Sequence, residues 1–112
     1  MSREWQLYWR DILHCCKKVL RYVGGLTREQ FEADERTYDA VLRNLEIIGE
    51  AVKHLPDEAR SRAPNIEWRN IAGFRDVVAH AYFGIDNEIV WDIVTNKVPE
   101  ILREIEAIDL NM

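Results

Sequence analysis

One run of residues, between Tyr38 and Leu55, constrains the fold of this chain more than any other. Its apolar residues recur at alternating steps of three and four positions, which is the period of one face of an α-helix. Pro56 ends the run, because proline lacks the backbone N–H that a continuing helix needs. The sequence therefore predicts a long amphipathic helix whose apolar face consists of Tyr38, Val41, Leu42, Leu45, Ile48, Val52 and Leu55.

The rest of the chain repeats this helical period. A first helix is predicted over Trp5–Val23, before a Gly-Gly pair, and Thr27 with Gln30 forms a capping box that starts a short helix. Residues 56–63 suit a connector of one or two turns, and Trp68–Ala81 carries the pattern of one continuous helix.

Two further helices are predicted at the C-terminal end. The first runs from Asn87 to about Asn96, with Asp86 as its N-cap. After a break at Asn96 and Lys97, Pro99 suits the first turn of a last helix.

Composition supports an all-α fold. The chain has 112 residues, of which only five are Gly and three are Pro, so hairpin-linked strands are disfavoured. The length suits one compact domain, which we expect to span residues 1–112. The predicted architecture is an antiparallel bundle of four to five main helices.

Charge and cysteine usage limit the partners and the setting. The net charge of −5 means that the chain as a whole repels phosphate backbones, so any nucleic-acid contact must be local. Cys15 and Cys16 are adjacent, which does not suit a structural disulfide and indicates a reduced, cytoplasmic setting. No secretory signal or membrane-spanning run is apparent, so we expect no membrane partner.

One segment concentrates residues that can carry chemistry. Arg75, Asp76, His80 and Tyr82 lie within eight positions, whereas no Cys-x-x-Cys, His-Glu-x-x-His or Gly-rich phosphate loop occurs. A guanidinium can bind phosphate oxygens, an imidazole can transfer protons, and a carboxylate four residues before the imidazole can orient it. The set suits phosphoryl transfer without a metal or cofactor. Spacing alone leaves open a second interpretation, in which these residues form an ordinary solvated helix face.

The Arg75-x4-His80-x-Tyr82 pattern resembles the signature of the HepT-like toxins of the HEPN superfamily. Residues 43–51, with the sequence RNLEIIGEA, are similar to the second-helix motif of that family, and residues 90–94 with Pro99 are similar to its C-terminal segment. The three segments occur in the expected order at the expected spacings.

The resemblance implies a homodimeric helical bundle that cleaves RNA without a metal, with Arg and His of both subunits lining one cleft. Carried over by position, Arg75 binds the scissile phosphate and His80 transfers protons. The resemblance also implies a nucleotidyltransferase antitoxin that attaches AMP to Tyr82 and silences the toxin. Asp76, which we expect to support or orient the site, departs from the Asn that is common there in the family.

The sequence therefore predicts the toxin of a toxin–antitoxin pair, an endoribonuclease acting on tRNA or mRNA. Small residues at Ala72, Gly73 and Ala79 favour a symmetric dimer contact along the helix that bears the motif. Glu46 and Glu50 occupy motif-like positions and either point at the cleft or lie on a solvated face. The alternative function is a non-catalytic helical module that binds a nucleotidyltransferase partner.

Overall fold

A computed structural model describes residues 4–81 and 87–108, and every regular element among them is helical. This confirms the predicted all-α fold. The α-helices are α1 (Trp5–Val23), α2 (Arg28–Ala33), α3 (Glu35–Lys53), α4 (Asp57–Arg60), α5 (Trp68–Ala72), α6 (Phe74–Ala81), α7 (Asn87–Asp92) and α8 (Val98–Glu106), with a π-helical turn over Ile93–Lys97 between α7 and α8.

The two 19-residue helices, α1 and α3, form the centre of the bundle. Helix α8 packs on α1, while α5 and α6 pack on α3. The apolar stripe predicted for α3 lies in the core, where Val41, Leu42, Leu45, Ile48 and Val52 are fully buried. The period of the sequence therefore identified both the helix and its buried face.

Side-chain caps fix the start of α2 and α3. Thr27 Oγ1 accepts from the Gln30 N–H at 3.1 Å, and Gln30 Oε1 accepts from the Thr27 N–H at 2.9 Å, which confirms the capping box. Asp34 caps α3 by accepting from the Thr37 N–H at 3.2 Å and from the Thr37 hydroxyl at 2.9 Å. Helix α3 therefore starts before its apolar stripe.

The prediction of one continuous helix over Trp68–Ala81 is wrong, because Gly73 separates α5 from α6. The Gly73 N–H donates to the carbonyl oxygens of Arg69 and Asn70, which closes α5 in a tight turn. The Gly73 carbonyl then accepts from the Asp76 N–H at 3.0 Å, which starts the next helix. Glycine disfavours a helix interior, and here the α-helix is interrupted at that residue.

The predicted break at Asn96 and Lys97 is also wrong, since the chain stays helical from Asn87 to Glu106. The Val98 N–H donates to the Ile93 carbonyl, five residues earlier, as in a π-helix. Pro99 has no N–H and its ring clashes with an α-helical carbonyl four residues earlier, so a wider turn before it relieves the conflict. The predicted N-cap Asp86 lies outside the described residues.

Other features of the described residues bear on the sequence predictions. None of their helices is both long and apolar enough to cross a membrane. Cys15 and Cys16 are free thiols that point into the core. Trp9 and Trp68 are buried and their rings lie 5.8 Å apart, so these tryptophans serve as core anchors.

Candidate functional site

The backbone of α3 lies close to the junction of α5 and α6, and the candidate site is built around this contact. A Cβ atom placed on Gly49 would stand 3.3 Å from the Ile71 carbonyl oxygen, 3.4 Å from the Arg75 backbone nitrogen and 3.5 Å from the Ala72 carbonyl oxygen. The shortest of these distances is tighter than most Cβ contacts, so even a methyl group at residue 49 would displace the neighbouring backbone by a few tenths of an ångström. Gly49 therefore fixes where Arg75 sits relative to α3.

Helix α6 has one buried side and one exposed side. Phe74, Val78 and Ala81 are at most 4% exposed and face the core. The exposed residues are Arg75, Asp76, Ala79 and His80. The structure thus holds the predicted guanidinium, carboxylate and imidazole in solvent on a helix that is anchored from behind.

The Arg75 guanidinium is paired with a residue outside the Arg75-x4-His80-x-Tyr82 pattern, on another helix. Its Nη1 lies 3.0 Å from Oε2 of Glu50, which directly follows Gly49 on α3. The two side chains are 56% and 49% exposed. In the described part of the chain, Arg75 is thus paired with Glu50 across two helices rather than with its neighbour Asp76.

A groove of about 290 Å³ lies between α1, α3 and α6 and contains this ion pair. A second arginine, Arg43, also lines it, and Arg43 Nη1 lies 3.6 Å from Glu46 Oε2. The full lining is Tyr8, Asp11, Arg43, Glu46, Ile47, Glu50, Ala51, His54 and Arg75. We refer to it below as the Arg75 groove.

Two aromatic rings that the sequence did not single out as a pair lie in the Arg75 groove. The rings of Tyr8 and His54 stack with centroids 4.5 Å apart and planes inclined by 11°. Tyr8 belongs to α1 and His54 directly follows the end of α3, 46 positions away, so no local pattern could have joined them. His80 is not among the described residues that line this groove.

A larger cavity of about 400 Å³ lies on another side of the bundle, between α5–α6 and the helices that follow. Its walls include the apolar side chains of Phe74, Val77 and Ile89, and Ile89 is 46% exposed. Neither Arg75 nor His80 lines it. The remaining predicted site residue, Tyr82, lies outside the described residues.

Fold and site together define a class: an α-helical protein of the HEPN type, with an exposed Arg-x4-His pattern on one helix of the bundle. Residues 12–108 match the family model described as "Ribonuclease HepT-like". The chain therefore belongs to the HepT-like ribonuclease family. This confirms the resemblance seen in the sequence and the prediction of a ribonuclease.

Similar proteins agree with this assignment. A protein of Methanocaldococcus jannaschii named as a putative RNase is 46% identical, with 88% of this chain and 81% of that protein aligned. A second, from Caldanaerobacter subterraneus subsp. tengcongensis and likewise named as a putative RNase, is 39% identical over 90% of each chain. "Probable ribonuclease HepT" of Thermococcus cleftensis is 35% identical over 96% of this chain and 98% of its own. No solved structure matches the chain.

Proposed function

We propose that this chain, as a single HepT-like domain over residues 1–112, is a metal-independent endoribonuclease whose catalytic residues are Arg75 and His80. The observation that carries the proposal is that both side chains are exposed on α6 while the other side of that helix is buried. A firmly anchored helix can present a guanidinium and an imidazole to a phosphodiester with little loss of orientation.

The reaction we propose uses the 2′-hydroxyl of RNA as its nucleophile. That oxygen attacks the adjacent phosphorus, the bond to the 5′-oxygen breaks, and the products carry a 2′,3′-cyclic phosphate and a 5′-hydroxyl. His80 transfers the protons, and Arg75 stabilises the negative charge on the phosphate oxygens. Asp76, four residues before His80 on the same exposed side, orients the imidazole.

A homodimer is part of this proposal. His80 does not line the Arg75 groove of its own chain, so a second copy is the source of a cleft with both groups. The exposed Ala79 leaves space on α6 for another backbone, and Ile89 offers an apolar contact nearby. Light scattering should give twice the mass of one chain at micromolar concentration, and a monomer there would exclude the composite cleft.

The activity is tested by incubating purified protein with total RNA in EDTA. Arg75→Ala and His80→Ala should each lower the rate by about 10²–10⁴-fold. His14→Ala is the matched control, because His14 is also an exposed helical histidine but lies on α1, and its loss should leave the rate unchanged. Cleavage that needs a divalent metal, or that survives His80→Ala, would exclude the proposed mechanism.

We also propose that the protein is the toxin of a cytoplasmic toxin–antitoxin pair, silenced when a nucleotidyltransferase antitoxin modifies Tyr82. The Tyr82 phenol would attack the α-phosphate of ATP and release pyrophosphate, and the attached AMP would carry a negative charge that can pair with Arg75. Intact-mass analysis after co-expression should show whole AMP increments that vanish in Tyr82→Phe but persist in Tyr22→Phe. Increments that persist in Tyr82→Phe would place the modification elsewhere.

A second candidate is a non-catalytic module that binds a nucleotidyltransferase. The observation that favours it is the presence of three carboxylates, those of Asp11, Glu46 and Glu50, in the Arg75 groove of an already acidic chain. Such a surface is poorly suited to RNA. Expression without the partner separates the two candidates, because growth arrest with RNA cleavage supports only the ribonuclease.

A further inference from the structure

We propose that Glu50 is a positioning residue that holds the Arg75 guanidinium in place for the RNA phosphate. The inference rests on the proposed ribonuclease function and goes beyond the two motif residues. Its basis is the 3.0 Å contact between Glu50 Oε2 and Arg75 Nη1, which joins residues 25 positions apart.

The backbone on both sides of this ion pair is fixed. Glu50 belongs to the long central helix α3, and a Cβ atom on the residue before it, Gly49, would stand 3.4 Å from the Arg75 backbone nitrogen. Arg75 lies near the start of α6, directly after the buried Phe74 and three residues before the buried Val78. The two side chains therefore extend from a close approach of their helices, and their separation is set by the packing of the bundle.

The geometry of the contact leaves the guanidinium able to bind a phosphate. Its nitrogens present a planar fork of N–H donors, and the contact with Glu50 is made by Nη1. A phosphate can then bind the edge of the fork that carries Nε and Nη2. Fixing a long, flexible side chain before the substrate arrives reduces the conformational entropy that binding must otherwise remove.

If Glu50 acted only through its negative charge, it would repel RNA from the neighbouring phosphate-binding arginine. Its removal should then strengthen RNA binding and should not slow cleavage. A positioning carboxylate predicts that the same removal slows cleavage, because Arg75 then samples more orientations. The sign of the change separates the two roles.

Glu46 provides a matched control. It lies one turn earlier on α3, lines the same groove and also pairs with an arginine, Arg43, at 3.6 Å. Glu46→Ala and Glu50→Ala change the charge and the helix propensity of α3 equally, but only the second removes the partner of Arg75.

The experiment measures kcat/KM on a defined RNA for both variants. We expect Glu50→Ala to lower kcat/KM by about twofold to fivefold, the range open to a half-exposed ion pair, and Glu46→Ala to leave it unchanged or raise it. Glu50→Gln, which keeps a hydrogen-bond acceptor, should lose less than Glu50→Ala. In an Arg75→Ala background, Glu50→Ala should cause no further loss, because Glu50 acts through Arg75.

A second readout does not depend on activity. The Nε–H signal of Arg75 in nitrogen-15 NMR should report a more mobile side chain in Glu50→Ala but not in Glu46→Ala. An unchanged signal, equal rates for the two variants, or an additive loss in the Arg75→Ala background would each overturn the positioning role. If the wild-type protein does not cleave RNA, the proposed function itself is wrong. The kcat/KM measurement on the wild-type protein shows this directly.

Discussion

Replacement of Gly49 by valine tests whether close helix contact holds the site together. The atoms that a Cβ on residue 49 would meet, at 3.3–3.5 Å, all belong to the backbone of the α5–α6 junction. Backbone atoms cannot rotate away as a flexible side chain can. Valine adds two methyl groups about 1.5 Å farther out, so α3 and the junction must separate.

The expected cost follows from two opposing terms. Valine is a better helix former than glycine by a few tenths of a kcal/mol. Overpacking of a close contact typically costs about 1–3 kcal/mol, so Gly49→Val should lower the free energy of unfolding by roughly 1–2.5 kcal/mol. Gly49→Ala should stay within about 1 kcal/mol of the wild type, because its gain in helix propensity offsets a displacement of a few tenths of an ångström.

Urea unfolding followed by circular dichroism at 222 nm measures both variants. The midpoint should fall for Gly49→Val without a change in the slope of the transition. RNA cleavage, measured well below the unfolding transition, should fall by about tenfold, because the backbone that carries Arg75 has moved. A Gly49→Val protein as stable as Gly49→Ala, or as active as the wild type, would refute the argument that this contact is tight and positions Arg75.

Four further predictions concern the bundle itself. Burial raises the pKa of the Cys15 thiol and raises that of the Cys16 thiol from 9.0 to about 12. A thiol-specific reagent at pH 8 should therefore react far more slowly with the native protein than with the urea-unfolded protein. Because the thiols of the unfolded chain lose their protons at a lower pH than the buried thiols, the free energy of unfolding should fall as the pH rises from about 9 toward 12. An unchanged urea midpoint over that pH range would contradict this prediction. Thr27→Ala removes the cap of α2 and should cost about 0.5–2 kcal/mol by urea unfolding, whereas Thr27→Ser should cost little. Trp68→Phe removes the 3.0 Å hydrogen bond from Nε1 to the Arg60 carbonyl and should lower the free energy of unfolding by about 1–3 kcal/mol. An unchanged urea midpoint would contradict this prediction and would show that water satisfies the Arg60 carbonyl instead.

Local sequence determined the main helices because their signals are contained within a few turns. The stripe from Val41 to Val52 repeats with the helical period, and its residues are buried as that period requires. The capping box at Thr27 needs only residues three positions apart, so it too could be read without the fold. Arg75 and His80 were found in the same way, as a short spacing on one helix.

Two helix boundaries were misjudged because the local signals there are weak. A single glycine inside an apolar helical pattern is tolerated at a cost of about 1 kcal/mol, so the pattern around Gly73 did not reveal the interruption of the helix there. In the same way, Pro99 indicated a helix start but did not show that a π-helical turn would carry the chain through Ile93–Lys97 without a break.

The surroundings of the motif were decided by tertiary structure alone. The Glu50–Arg75 ion pair spans 25 positions and the Tyr8–His54 stack spans 46, and no helical period links residues so far apart. Both depend on how closely α3 approaches its neighbours, and Gly49 sets that distance for α6 through a contact with backbone atoms. The sequence alone determined which residues are available for chemistry, whereas the packing of helices determined which of them meet, because side-chain neighbours across a bundle are set by interhelical distance rather than by position along the chain.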